Sequence, residues 1–259
     1  MLIAACVYST DQYNRLATTR RWFETMRDTV DWSRHRLIVS DNGSHQPMFD
    51  LYKEFQEQLL FKVLDNGSNL GTANAINRAW REREPGEHAV KCDHDWIVHQ
   101  AGWADHFEDV FYRDPEIGII GLKRRDLDER PWGKGWKKST LRMLPQEKGQ
   151  RWLAVEEVNH VMGTCQGYSN ALLEKIGYLY QGNWLYGFDD SLAAARAAIA
   201  GFKSAFICGF DIEHIDMGGD EYTDWKHKVA GDAMRWFNHT RKQYQSGKKD
   251  PYYDGGFSK

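Results

Sequence analysis

Between Leu2 and Leu122, short apolar runs of strand length alternate with longer stretches whose apolar residues recur at helical spacing. No other feature restricts the fold of this chain as much. Residues 2–7 form the first run, and Thr10 or Asp11 offers a cap for a helix carrying Leu16, Phe23, Met26 and Val30 on one side. Residues 36–40 form the second run, closed by the turn former Asp41-Asn42-Gly43-Ser44. A helix with Phe49, Tyr52 and Phe55 follows, then a strand at 61–64 and a loop at 66–71. Residues 72–80 read as helix, 88–92 as strand, 102–111 as helix and 117–122 as strand. Such alternation predicts an α/β fold, Rossmann-like in plan, with a central, mostly parallel sheet flanked by helices.

The alternation lapses at 123–150, a polar stretch holding Pro131, Pro145 and several glycines, which reads as an excursion. A helix is expected near 169–176. Asp189 and Asp190 precede an Ala-rich helix over 191–200 that stops at Gly201. Residues 203–208 read as the last strand, and the chain beyond His214 as helical to about Tyr244. The tail from Ser246 is polar and reads as free to move.

Composition removes several classes. A net charge of −3 gives no global pull toward nucleic acid or an anionic membrane. Cys6, Cys92, Cys165 and Cys208 are far apart and form no CxxC, so neither a zinc knuckle nor a redox pair is indicated. Three of them sit in or beside apolar runs, as buried free thiols of a reducing compartment would. There is no signal-like start, and no apolar run approaches the roughly 18 residues of a membrane span. The expectation is a soluble, cytoplasmic protein. A G-x-G-x-x-G after the first strand is absent, which argues against a dinucleotide-dependent dehydrogenase. That position reads Tyr8-Ser9-Thr10-Asp11, without the Gly-rich basic loop of a nucleotidyltransferase.

The segment Lys91-Cys92-Asp93-His94-Asp95-Trp96 carries the clearest chemistry. Its two carboxylates follow a predicted strand, at the sheet edge where open α/β folds bind ligands. Alternate residues of an extended segment point the same way, so Asp93 and Asp95 can converge on one cation. Hard oxygen ligands suit Mg²⁺ or Mn²⁺, ions that bridge phosphates. A solvated turn is the bland alternative.

Five further landmarks accompany it in order: Tyr8 to Arg15, Asp41 to Ser44, Asn69-Leu70-Gly71 with Asn74 and Asn77, Gly187-Phe188-Asp189-Asp190, and His214. The series resembles the GT-A glycosyltransferases of the family 2 type, over residues 1–216. The resemblance implies a metal-dependent hexosyl- or pentosyltransferase that moves a sugar from a nucleotide-diphospho-sugar to an acceptor hydroxyl, inverting, with an Asp general base. It implies that Ser9, Thr10 and Asp41 meet the base and ribose, with Asn69 and Gly71 near the nucleotide. Asp93 and Asp95 match the metal motif for Mn²⁺ or Mg²⁺, Asp95 being the direct ligand, and His214 the histidine that completes the site. Of the acidic pair, Asp190 is the usual base candidate and Asp189 the other. Residues 1–92 would form the nucleotide-binding half and 93–216 the metal and acceptor half. Residues 217–259 would add a helical segment and tail. The sequence departs from the family pattern in His94 at the middle of the metal motif, in Asp-Asp where Glu-Asp is frequent, and in the unmatched excursion.

Independent physics fits these roles. A departing diphosphate needs cationic stabilisation, and an inverting transfer needs a base at the acceptor. Either acid of the Asp189-Asp190 pair could instead cap the helix. Trp184 is a candidate sugar platform, whereas Trp103 reads as core, and His94 and His99 as structural or acceptor-side. Lys226 and Lys228 could reach a diphosphate or simply face solvent. The excursion holds basic Arg124 and Arg125 with Trp132 and Trp136, a pattern that can track phosphates and stack bases. The acceptor is therefore read as a glycan or, alternatively, hydroxymethylated DNA as in phage DNA glycosyltransferases. A non-catalytic carbohydrate- or nucleic-acid-binding module is the rival that needs no Asp95, His214 and Asp190 together.

Overall fold

The computed structural model describes residues 1–127, 139–216, 219 and 221–256. In chain order the strands and helices are β1 Leu2–Val7, α1 Leu16–Thr29, β2 Arg36–Asp41, α2 Gln46–Gln56, β3 Phe61–Asp65, α3 Thr72–Trp80, β4 Ala89–Cys92, β5 Trp96–Ile97, α4 Trp103–Arg113, β6 Ile117–Arg124, β7 Thr140–Met143, β8 Ala154–Val158, β9 Cys165–Tyr168, α5 Asn170–Ile176, α6 Asp189–Ile199, β10 Lys203–His214 and α7 Glu221–Gln245. They build one sheet in the order β3-β2-β1-β4-β9-β6-β10-β8-β7, with β5 paired to β10.

β1 pairs in parallel with β2 and β4, as β2 does with β3 and β10 with β6. Both faces of β1 are covered. Ile3, Ala5 and Val7 pack with Trp22, Phe23, Met26 and Phe55 of α1 and α2, while Leu2 and Ala4 pack with Ile76, Trp80 and Ala197 on the other side. Two-sided burial explains why the parallel strands read as continuous apolar runs.

Four strands escape the sequence pattern. β9 lies antiparallel between β4 and β6, and its residues include Gln166 and Gly167. Gln166 is nevertheless buried, because it donates to Val161 O (2.6 Å) and accepts from Tyr168 OH (2.8 Å). Gly167 is needed for closeness: a Cβ there would lie 2.7 Å from Phe107 Cδ2. β7 and β8 pair antiparallel at the sheet edge, so part of the excursion is regular. β5 is only two residues long.

Three other expectations are corrected. α1 starts at Leu16, because Thr10 Oγ1 instead accepts from Tyr13 N (3.0 Å) and closes a turn. α6 starts at Asp189 behind the left-handed N-cap Phe188 (φ 66°), so both acids lie in its first turn and neither is the cap residue. The tail is anchored. Tyr253 N donates to Ile176 O and Tyr178 N to Tyr253 O, at 2.9 and 2.8 Å. The buried Arg196 guanidinium also holds Pro251 O (2.7 Å). Among the described residues no helix is long and apolar enough to cross a membrane.

Candidate active site

A cavity of about 650 Å³ opens at the carboxyl edge of the sheet. Asn42 and Asn69 line one side, Asp93 to Asp95 and His214 the floor, Gly163 and Asp189 to Ser191 another side, and Tyr222, Trp225 and Lys226 of α7 the roof.

The floor is set by strand pairing. β5 runs antiparallel to β10 with His214 opposite Trp96, and Ile215 N donates to Asp95 O (2.8 Å). This brings His214 Nε2 to 3.4 Å from Asp95 Oδ2. Asp95, His214 and Asp216 offer ligand atoms that all lie within 4.8 Å of one another. Among the described residues, Asp95 Oδ1 is buried without a hydrogen-bond partner. A buried orphan carboxylate oxygen is costly unless something positive or donating meets it, so the donor set fits a divalent cation. Burial favours protonation of Asp95, yet the hydrogen bond and charge of His214, with His94 and Lys226, outweigh it and hold the carboxyl well below its usual range. Burial pushes the Asp93 carboxyl up to about 7, with Asp95 and Asp189 adding to the rise and Lys91 opposing it.

Asp216, missed in the sequence, accepts a two-pronged bond from Arg15 (3.0 and 3.2 Å) and another from Lys226 Nζ (2.7 Å). Arg15 also lies 4.3 Å over the Tyr222 ring, which stacks on Trp225. The α7 roof is thus bolted to the floor by charge and aromatic contact. Lys226 lines the cavity and Lys228 is exposed. His94 sits beneath, its Nδ1 2.8 Å from Thr19 Oγ1, and burial pushes it down to about 4. His99 is exposed and Trp103 fully buried.

On the opposite side, the two acids of α6 have different company. Asp189 is tied to buried Lys91 on β4, Nζ to Oδ2 2.6 Å. Asp190 Oδ2 accepts from Gly163 N (3.0 Å) and lies 3.2 Å from His160 Nε2, while Oδ1 accepts from Ser191 N (2.6 Å). Burial favours the protonated form of Asp190, but His160, Lys91 and the Ser191 N–H outweigh it and keep the carboxyl well below its usual range. His160 carries no sequence signal. It comes from the loop between β8 and β9 and meets Asp190 only through the fold.

The expected nucleotide contacts divide. Asn69 lines the cavity, and its Oδ1 accepts from Gly71 N (2.9 Å). Asp41, Ser9, Thr10 and Gly71 stand behind the wall. Both Asp41 oxygens are committed, Oδ1 to the Gly43 and Ser44 N–H groups (3.0 and 2.7 Å) and Oδ2 to Tyr52 OH (2.5 Å). Ser9 Oγ accepts from Arg15 N (2.9 Å). Gly71, at φ +82°, makes room for the backbone of Trp184 and Leu185. Trp184 is half-buried there, and its neighbours Leu185 and Tyr186 line the cavity instead.

The basic excursion is partly neutralised from within. Lys123 pairs with Glu156 (3.0 Å), Arg124 with Asp126 (2.7 Å), and Arg142 with Asp114 and Glu157. Arg124 lines the cavity and Arg125 is exposed. Trp132 and Trp136 lie outside the described residues.

Comparisons with known proteins bear on the family and the fold. Residues 12–177 match the family described as Glycosyl transferase family 2. No curated protein matches the chain. Among solved structures, mannosyltransferase PcManGT from Pyrobaculum calidifontis, in complex with GDP-Man and Mn²⁺, is 15% identical at a TM-score of 0.64. The match covers 86% of this chain and 59% of that one, so this chain spans less than two thirds of its length. TarS 1–349 of S. aureus in complex with UDP-GlcNAc is 14% identical at a TM-score of 0.56, covering 88% and 63%. GalNAc-T7 with UDP, GalNAc and Mn²⁺ is 12% identical at 0.62, covering 95% and 51%. The fold is GT-A, and the chain belongs to glycosyl transferase family 2.

Proposed function

We propose, from this family membership, that the protein transfers a sugar from a nucleotide-diphospho-sugar to an acceptor hydroxyl with inversion, and that Asp190 is the base. The observation that carries the reading is the buried Asp95 Oδ1 beside His214, without a partner among the described residues, in one cavity with Asp190. Asp95 and His214 would hold Mn²⁺ or Mg²⁺, which when bound supplies Lewis-acid stabilisation of the leaving diphosphate. Residues 1–92 contribute the nucleotide wall through Asn42 and Asn69, residues 93–216 the metal and acceptor wall, and the segment after 216 the roof. Lys226 brings a further positive charge toward the diphosphate. Asp189 is committed to the buried ion pair with Lys91, so Asp190, beside His160, is the carboxylate that would receive the acceptor's proton. The acceptor oxygen then displaces the diphosphate at the anomeric carbon, and the electron pair leaves with it.

The test is thermal shift with UDP or GDP, with and without Mn²⁺. Mn²⁺ should add to the stabilisation by nucleotide, and Asp95→Asn should remove that increment without unfolding the protein. Equal shifts in EDTA and in Mn²⁺ would sink the metal role.

A further inference from the structure

The environment of Asp190 is unusual for a proton acceptor. Its two oxygens meet the Gly163 and Ser191 N–H groups, the Ser191 hydroxyl (3.3 Å) and the His160 ring (3.2 Å). Nearly every lone-pair direction of the carboxylate is occupied, and each donor favours the ionised form. A carboxylate stabilised this far is a weak base. Of these partners only His160 changes charge near neutral pH.

Resting on the glycosyl-transfer reading above, we infer that His160 is the positioning residue of the base: it holds Asp190 toward the cavity and sets the pH below which that carboxylate stops accepting the acceptor's proton. Neutral His160 can give the hydrogen bond through Nε2–H without adding a charge. Protonated His160 keeps the bond and adds an imidazolium beside Asp190, which weakens the carboxylate as a base. The His160 and Asp190 side chains are 30% and 19% exposed, so protons from solvent reach the pair. The other charged or titratable groups facing it are Asp189 on α6, Lys91 on β4, Tyr168 on β9 and Tyr186 before α6. Burial lowers the His160 pKa, but Asp190 and Asp189 outweigh it and raise it, with Lys91 opposing. Space for the arrangement depends on Gly163, where a Cβ would fall 2.6 Å from Lys91 Nζ and 3.3 Å from Asp190 Oδ2. No residue of the metal floor takes part.

Two measurements decide the matter. The first is a histidine NMR titration of the whole chain. The His160 midpoint should fall by about one unit or more in Asp190→Asn, as loss of an adjacent anion requires. An unchanged midpoint overturns the pairing. The second is hydrolysis of GDP-mannose and UDP-GlcNAc with Mn²⁺ as a function of pH. The wild type should lose rate roughly ten-fold per pH unit below the His160 NMR midpoint. His160→Gln, which keeps an N–H donor, should retain activity and lose that acid limb, while His160→Ala should be slower at every pH. If His160→Gln keeps the limb, the histidine is merely structural and the inference fails. If no nucleotide sugar is turned over at any pH, the donor reading falls and takes the base role with it, while the NMR midpoint still reports whether the ion pair exists.

Discussion

The two walls of the cavity use the same residue types to opposite ends. On the side of β1 and β2, Asp41, Ser9 and Thr10 spend their polar atoms on the turns that follow these strands. What faces the cavity there is Cys6, Tyr8, Asn42 and Asn69. On the side of the acidic residues, Asp95 keeps a buried oxygen without a partner among the described residues, and Asp189 and Asp190 meet Lys91 and His160 from distant parts of the chain. The first wall is locally satisfied and would be stable without any ligand. The second holds four carboxylates, of Asp93, Asp95, Asp189 and Asp190, and the last three meet partners far away in the chain. A polar group whose needs its own turn meets is architecture; one whose needs stay unmet, or are met only across the fold, is a candidate for chemistry.

The sharpest break between the walls should be kinetic. Asp190→Asn should lower turnover of the nucleotide sugar by about 10² or more, the usual scale for losing a general base. Nucleotide affinity, read by titration calorimetry, should barely move. Asp189→Asn should act differently, leaving Lys91 buried and unpaired at a cost of about 3–5 kcal/mol in folding free energy by denaturant titration. If Asp189→Asn is folded and inactive while Asp190→Asn is active, the two roles are exchanged.

A second contrast pits Asp41 against Asp95. Asp41→Ala removes the acceptor of three hydrogen bonds within a buried turn. It should cost about 1–3 kcal/mol of stability and leave the Mn²⁺-dependent nucleotide shift intact. Asp95→Asn should do the reverse. A loss of nucleotide binding in Asp41→Ala at unchanged stability would mean that Asp41 reaches the ligand after all.

This contrast also marks what the sequence could convey. The parallel strands and the helices between them were legible because both faces of β1, β2 and β4 are buried and each strand reads as an apolar run. β9 was not, since Gln166 and Gly167 are buried by a private hydrogen bond and a close approach, neither of which leaves an apolar pattern. At the candidate site, Asp93, Asp95 and His214 could be picked out because they follow or end a strand at one edge, and Asp190 because it opens an Ala-rich helix. His160, Arg15 and Asp216 were not. Their roles exist only in pairs, His160 with Asp190 and Arg15 with Asp216, and the latter partners lie 201 positions apart. Asp41 is ambiguous for the converse reason: a turn-forming Asp and a ligand-binding Asp are the same letter in the same place, and its three hydrogen bonds show the first role.

Stability against pH should separate the walls less strongly. His160 has a folded pKa above its ordinary 6.5, so its contribution is complete below that value and fades as pH rises through the raised one. Asp190, depressed below 3.8, contributes fully above that value and loses its share as pH falls further. Both act together between the two ordinary values. The stability gap between wild type and His160→Gln should therefore be wider at about pH 5.5 than at about pH 8.5 in denaturant titrations. A gap that widens with rising pH would show that Asp190 does not raise the histidine.

The smallest effects are expected where the basic excursion meets the sheet. A nucleic-acid acceptor would need its phosphates neutralised by free cations, and each contact would steepen the salt dependence by nearly one unit of log–log slope. Lys123 and Arg142 already face Glu156, and Asp114 with Glu157, so their charge is spent inside the protein. Replacing either by Ala should change the salt slope for hydroxymethylated duplex DNA by less than about half a unit, measured by fluorescence anisotropy across a sodium chloride series. Stability should fall by only about 0.2–1 kcal/mol per pair, as for other partly exposed ion pairs. Arg125, exposed next to the cavity-lining Arg124, is the control. If Arg125→Ala flattens the slope by a full unit while Lys123→Ala and Arg142→Ala do not, the protein does hold phosphates there, and the acceptor wall extends along the excursion. If all three leave the slope unchanged, none of these three side chains reads a phosphate backbone.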